Sequence, residues 1–300
     1  MAKNSMVLTT NKNSKSKKKH KFLSGSNKWQ LSLGIPYLIF SILFIILPMV
    51  LIAIYAHKPL DQEHPWYTYK SANWEIAFKD STFKIILRSI LTGLVAATIS
   101  LFIGFPYAYI ISRSKSSIIK ILGLSLVLSP LAIFTISKAL ALRGLFSAIF
   151  DDENKLNNYF FMILGMVYLF LPFMIMPLYQ VLKDMPNNIL EASQDLGYSK
   201  PKTMFKVIIP YSTKAILSGF GIILMMASTS IIISDKLLPN GSQKQLIGNL
   251  INQFANTANP FDLATASSLV LVTMVILLAL YGIIYGIPYL ISKKRGGSDE

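Results

Sequence analysis

Three hundred residues allow one or two domains, and composition narrows the choice further. Apolar residues make up 53% of the chain and charged residues only 14%, too few to coat a soluble globule, where about a quarter is usual. The net charge is still +15 and cysteine is absent, which excludes disulfide scaffolds, thiolate metal sites and cysteine nucleophiles. A chain this apolar and this basic points to a membrane protein whose cations are sorted to one side.

The chain opens on a basic arm, Lys12–Lys21, placed directly before an apolar run. Such an arm can bind nucleic acid. Here it reads instead as a topology signal that touches anionic lipid headgroups, and no nucleic-acid partner is expected. The first apolar run exceeds the 7–15 residues of a signal-peptide core and lacks a small-residue cleavage site. Residues 1–28 are therefore expected to form a disordered interior tail, with a membrane domain over 29–292 and a short interior tail over 293–300.

A hydrocarbon core about 30 Å thick needs roughly 20 apolar residues in a helix. Six runs meet that length: Leu31–Ala56, Ile85–Ile111, Ile118–Leu142, Tyr159–Val181, Ala215–Ser234 and Leu263–Ile291. In the third, Lys120 and Lys138 lie near the ends, where lysines can snorkel to the interface. Pro48, Pro106, Pro130, Pro172, Pro177 and Pro288 fall within or near spans, which membrane helices tolerate when neighbours satisfy the freed carbonyls. With the N-terminus inside, the loops sort nearly all of the net +15 to the interior. The positive-inside rule then predicts six spans with both termini cytoplasmic, in an all-α plasma-membrane protein.

Between the spans, little suggests catalysis. Histidine occurs only at His20, His57 and His64, outside all six runs; His57 and His64 read as solvated loop residues rather than a metal pair. No phosphate-binding G-x-x-x-x-G-K-[ST], H-E-x-x-H or G-x-S-x-G motif is present. An enzyme, a resident metal and a bound cofactor are therefore not expected. The span centres also lack carboxylates, which argues against an ion-coupled secondary carrier or a channel. Energy is expected to come from another subunit.

The longest interior loop, residues 183–212, is where such a subunit could act. Pro186 stops the fourth span. Asn187 or Asn188 can cap a new helix of about two turns over Ile189–Leu196. Gly197 suits the left-handed position that ends it. Ser199 can cap a second short helix with Pro201 in its first turn, and Pro210 ends that piece. Leu190, Leu196, Phe205, Val207 and Ile208 supply apolar side chains. The prediction is a two-helix knob.

Glu191-Ala192-Ser193, then Gly197, then Val207-x-Ile209-Pro210, match in spacing the E-A-A-x3-G-x9-I-x-L-P loop of ABC-importer permeases. Ser193, Val207 and Ile209 depart from the pattern conservatively. The resemblance to the type I permeases covers roughly residues 30–290. Trp74-Glu75 and the stretch Ser89–Arg113 with Gly104-Phe-Pro106-Tyr-Ala resemble the second span and following turn of spermidine/putrescine permeases, and Ser234-Asp235-Lys236-Leu237 with Leu246-Ile-Gly248-Asn249 and Asn259-Pro260-Phe261-Asp262 is similar to the outer loop of the B-type permease of those systems.

The resemblance implies a permease core whose loop couples to an ATPase dimer through Glu191, Ala192, Ser193, Gly197, Phe205 and Pro210. ATP and magnesium would be held by that dimer. It further implies a second, distinct permease subunit as heterodimer partner and an extracytoplasmic substrate-binding protein. Small Ala192 and Ser193 would permit close approach to the ATPase. The substrate path for a polyamine would use carboxylates and aromatic faces; Asp235, Tyr107 and Tyr168 are the candidates, alongside Tyr109 and Phe173, while Asp151, Asp152, Glu153 and Asp262 read as a solvated outer face. A permease of the same design for ferric iron, sulfate or thiamine is the alternative.

Overall fold

The computed structural model describes residues 28–57, 72–150, 153–238 and 244–296. The basic arm, His20, His64, Asp151 and Asp152 lie outside them. Every regular element among the described residues is helical. The chain divides into two packed units, one ending at Val50 and one starting at Leu51.

The first run is helical throughout: α1 (Lys28–Ser41), a π-helical turn (Ile42–Ile46) and α2 (Leu47–His57). Short α3 (Ala72–Ala77) follows, and its buried Asn73 works as a staple. Asn73 Nδ2 donates to the Ala56 carbonyl at 2.8 Å, and Ser268 Oγ donates to the Asn73 carbonyl at 3.0 Å. The His57 ring lies 5.1 Å from that of Trp74, tilted at 55°, and its Nδ1 meets the Ala53 carbonyl at 2.9 Å, a structural placement for this ring.

Helix α4 (Asp80–Arg113) has 34 residues and so runs about 51 Å, passing through Pro106 without interruption. It is followed by α5 (Ser117–Leu128), α6 (Thr135–Ile149), the single turn α7 (Glu153–Leu156) and α8 (Tyr159–Asp184). Then come α9 (Asn187–Asp195), α10 (Lys200–Thr203), α11 (Ile209–Tyr211), α12 (Thr213–Ser228), α13 (Ile247–Gln253) and α14 (Pro260–Gly296).

The core is the mutual packing of α4, α8 and α12. On α4 the buried positions include Gly93, Ala96, Ala97, Ser100 and Gly104, small residues that let backbones approach where lipid supplies no hydrophobic drive between helices. Gly93 sits tight against α12: a Cβ there would press on Ser228 Oγ and stand 3.2 Å from the Leu224 carbonyl oxygen.

Among the described residues, four helices are long and apolar enough to cross a membrane: Gly34–His57, Asp80–Arg113, Tyr159–Asp184 and Pro260–Gly286. The other two predicted spans are not single helices. The third, Ile118–Leu142, breaks at a 3₁₀ turn (Ser129–Ala132) containing Pro130, and α5 and α6 meet at 103°. Proline removes a helix donor and clashes with the preceding turn; the extended Ile133 and Phe134 then turn the chain. Lys138, expected at an interface, is instead buried near the start of α6.

The fifth predicted span, Ala215–Ser234, ends early, at Ser228. Its later residues form a separate π-helical turn (Ile233–Leu237). Thr229 Oγ1 donates back to the Met225 carbonyl at 2.8 Å, and Asn249 Nδ2 takes the Ile231 carbonyl at 2.9 Å. Side-chain bonds of this kind compete with the helix ladder and end it.

Candidate functional site: a two-helix knob between α8 and α12

Helix α8 stops at Asp184, with Met185 extended behind it. Pro186 then occupies the N-cap position of α9, which neither Asn187 nor Asn188 does, contrary to expectation. The reason lies elsewhere in the chain. Asn187 Oδ1 accepts a 2.9 Å bond from Arg113 Nη1, at the end of α4, so its side chain is not available to cap. Arg113 Nη2 also donates to the Met185 carbonyl at 2.9 Å.

The far end of α9 follows the sequence reading. Gly197 has φ +73°, the left-handed region that glycine enters without steric cost. Its N–H donates to the Gln194 carbonyl at 2.8 Å, and the Tyr198 N–H donates to the Ser193 carbonyl at 3.1 Å. These are the two bonds of a Schellman stop, which satisfy carbonyls that the helix end would leave free. Ser199 stands at the N-cap of α10 with Pro201 in the first turn, although its hydroxyl makes no capping bond. A π-helical turn (Met204–Ile208) leads into α11. The chain bends 70° before α12, at Ser212 rather than at Pro210. There the buried Ser212 Oγ donates to the Ile208 carbonyl at 2.8 Å.

The two halves of the knob are tied together by Ser193. Its side chain is 3% exposed. Its hydroxyl donates to the Leu190 carbonyl at 2.7 Å, so the 3.1 Å contact with Thr203 Oγ1 has Thr203 as donor. Ser193 therefore faces inward and bridges α9 to α10. The expectation that it lines an approach surface with Ala192 is corrected; Ala192 is exposed and Ser193 is not.

The predicted apolar set separates into two groups. Leu190, Val207 and Ile208 pack into the core, while Leu196 and Phe205 are 73% and 71% exposed. Glu191, Gly197 and Pro210 are also exposed. Between the knob and the end of α4 lies a cleft of about 770 Å³, lined by Tyr109, Leu190, Gln194, Tyr198, Phe205 and Ile208. Lys200, Lys202 and Lys206 are exposed around it, and Lys202 Nζ lies 4.3 Å over the Tyr198 ring.

The three path candidates do not converge. Asp235 sits on the π-helical turn after α12, half-exposed and 3.0 Å from Lys236 Nζ. That turn is pinned by a hydrogen bond from Ser234 Oγ to Asn249 Oδ1, and α13, which carries Asn249, is held to α4 by the bond from the Ile247 N–H to Ser89 Oγ at 2.8 Å. Gly165 lies against Leu237, which puts the exposed Tyr168 one helical turn from a residue touching the Asp235 turn. Tyr107 is near the opposite end of α4, and its hydroxyl donates to the Gly123 carbonyl of α5 at 3.0 Å.

Two residues at the knob escape a linear reading. Arg113 registers in the sequence only as one more interior cation, and Thr203 as an ordinary polar residue. A basic residue closing a long span is the one signal for Arg113; its partner is 74 positions away.

Comparison with known proteins agrees with this architecture. A permease protein of Mycoplasma genitalium, the "Spermidine/putrescine transport system permease protein PotB homolog", is 30% identical over 86% of this chain and 92% of its own length. The "Spermidine/putrescine transport system permease protein PotB" of Haemophilus influenzae is 28% identical over 80% and 88%. In the solved structures, a bacterial ABC transporter importing the acidic polysaccharide alginate contains a chain of the same fold, with TM-score 0.58, 19% identity, and coverage of 87% of this chain and 96% of that one. A bacterial alginate transporter in complex with a pentasaccharide-bound periplasmic protein gives TM-score 0.62 at 17% identity, covering 89% and 96%. Residues 104–295, which run from the end of α4 through α8, the knob and α12, match one family model, and the chain belongs to that family, the binding-protein-dependent transport system inner membrane components.

Proposed function

We propose that the chain is one of two permease subunits of an ATP-driven importer for small polycationic amines, spermidine and putrescine. The observation that carries the coupling half of this reading is the knob. It is rigidly built by the Schellman stop and the Ser193–Thr203 bridge, yet it leaves Leu196 and Phe205 in the open. Large apolar side chains exposed on a well-ordered projection mark a docking surface. In this reading the knob lies in the cytoplasm and seats in a groove of an ATPase subunit, with Glu191 at the edge of the contact. Exposed Lys183, Lys200, Lys202 and Lys206 beside it fit a cytoplasmic position by the positive-inside rule. The chain then spans the membrane six times, the bent α5–α6 pair counting as one span and α12 as another, with both termini inside.

The substrate half rests on the relatives, which are named for spermidine and putrescine. The fold does not select a substrate, since its structural neighbours belong to an importer of an acidic polysaccharide. In the proposed cycle, ATP and magnesium bind to the ATPase dimer and none to this chain. Closure of that dimer displaces the docked knobs. A second, different permease completes the path, and an external binding protein delivers the amine. Directional transport requires that the amine bind with different affinity to the outward- and inward-open states. Asp235, near the end of α12 away from the knob, supplies a carboxylate that pairs with an ammonium group. Its present partner Lys236 is itself a primary ammonium, and a substrate amine competes for the same oxygens.

Uptake of radiolabelled spermidine and putrescine by a strain lacking this chain, with and without the gene restored, tests the substrate class. Restored uptake is expected. Equal uptake in both strains, with restored uptake of another solute, overturns it.

A further inference from the structure

Arg113 joins three elements at one point. It ends α4, which packs along both α8 and α12. Its guanidinium holds the Met185 carbonyl with one nitrogen and the Asn187 side chain with the other, each at 2.9 Å. Met185 and Asn187 stand on either side of Pro186. Both Met185 and Pro186 are extended, so this dipeptide is the joint between α8 and α9. Met185 is 2% exposed and fixed in the bundle, whereas α9 shows most of its surface to solvent. The third guanidinium donor, Nε, is buried without a partner among the described residues. The guanidinium is thus shielded at Nε, open to solvent on the Asn187 side, and held by the two bonds that span the joint.

We propose that Arg113 is a positioning residue that locks the Pro186 joint and delivers displacement of α9 to α4; this rests on the reading of the knob as the ATPase contact. A joint of two extended residues bends chiefly by rotation about ψ of Pro186, since the proline confines Met185 before it to the extended region. Bridging it with a planar fork removes that freedom, because both bonds lengthen when α9 swings. Displacement of the knob then moves α4, and with it the helices α4 packs against. Lysine cannot substitute well, since a single ammonium lacks the rigid two-pronged geometry. Without the bridge, α9 follows the ATPase while α4 stays behind, and ATP is hydrolysed without transport.

The complete transporter, reconstituted in liposomes, tests this with two readouts: recruitment of the ATPase subunit and substrate moved per ATP hydrolysed. Arg113→Lys, Arg113→Ala, Asn187→Ala and the double variant Arg113→Ala/Asn187→Ala are compared with Leu196→Asp. The Arg113 and Asn187 variants should recruit the ATPase normally while substrate moved per ATP falls about tenfold for Arg113→Lys, the scale of lost hydrogen bonds to a charged group. Asn187→Ala, an exposed position that keeps the Met185 bond, should fall less, and the double variant should lose no more than Arg113→Ala alone. Unchanged stoichiometry in Arg113→Lys and Asn187→Ala overturns the clamp. Normal recruitment by Leu196→Asp overturns instead the docking reading on which the clamp rests.

Discussion

Gly197→Val isolates the backbone of the knob from its packing. The glycine has φ +73°, and no atom lies within 4 Å of where a Cβ would stand. The substitution therefore meets no clash, and its whole effect is conformational. A left-handed backbone costs an ordinary L-residue about 1–2 kcal/mol, and a β-branched one falls at or above the upper end. Rejecting that conformation breaks the two stop bonds to Gln194 and Ser193 and frees the angle between α9 and α10. At about 1.4 kcal/mol per factor of ten, the equilibrium constant for the correctly angled knob falls by roughly tenfold. Substrate-stimulated ATPase activity of the assembled complex should drop, by at most about that factor, while membrane insertion is unchanged. Gly197→Asn is the control, because asparagine tolerates the left-handed region, and it should keep most activity. Wild-type activity in Gly197→Val, or equal loss in the valine and asparagine variants, refutes the reasoning.

Three further outcomes are expected. Thr203 is 7% exposed and donates to Ser193, so Ser193→Ala should destabilise the knob by about 1–3 kcal/mol by stranding that hydroxyl, whereas Ser193→Ala/Thr203→Val should recover most of the loss; hydrogen exchange of α9 amides measures both. Gly93→Ala should lower thermal stability in detergent by about 1–3 kcal/mol, since its Cβ presses on Ser228 Oγ and the Leu224 carbonyl, and adding Ser228→Ala should relieve part of it. Asp235→Asn should raise KM for amine uptake about fivefold with little change in maximal rate at normal expression, the effect of losing a half-exposed charge pair of about 1 kcal/mol; unchanged kinetics would remove Asp235 from the path.

How far the sequence reaches depends on the range of the interaction concerned. The helical character of all six apolar runs was legible, as were the two-piece knob, Gly197 as its stop and Pro201 in the second helix, because each depends on residues within about one turn of one another. Hydrophobic run length and local backbone rules carry that information. The same rules missed the early ends of the third and fifth spans. Pro130 was visible but was read as a tolerated break, and the end of α12 at Ser228 depends on Asn249 reaching back to Ile231 from 18 positions away. Local capping rules also assigned Asn187 to its own helix.

Composition and local pattern establish the membrane class, the charge bias and the outline of the two-helix knob. Packing between distant segments is what sets which side chains of the knob face inward. It buried Ser193 against Thr203, left Leu196 and Phe205 outside, and turned Asn187 toward Arg113 at the end of a helix 74 residues earlier. The physical reason is that a hydrogen bond between distant segments is selected by how packed helices bring their ends together. On α4, α8 and α12 that is set by small residues spread across the whole chain, and no local window contains them.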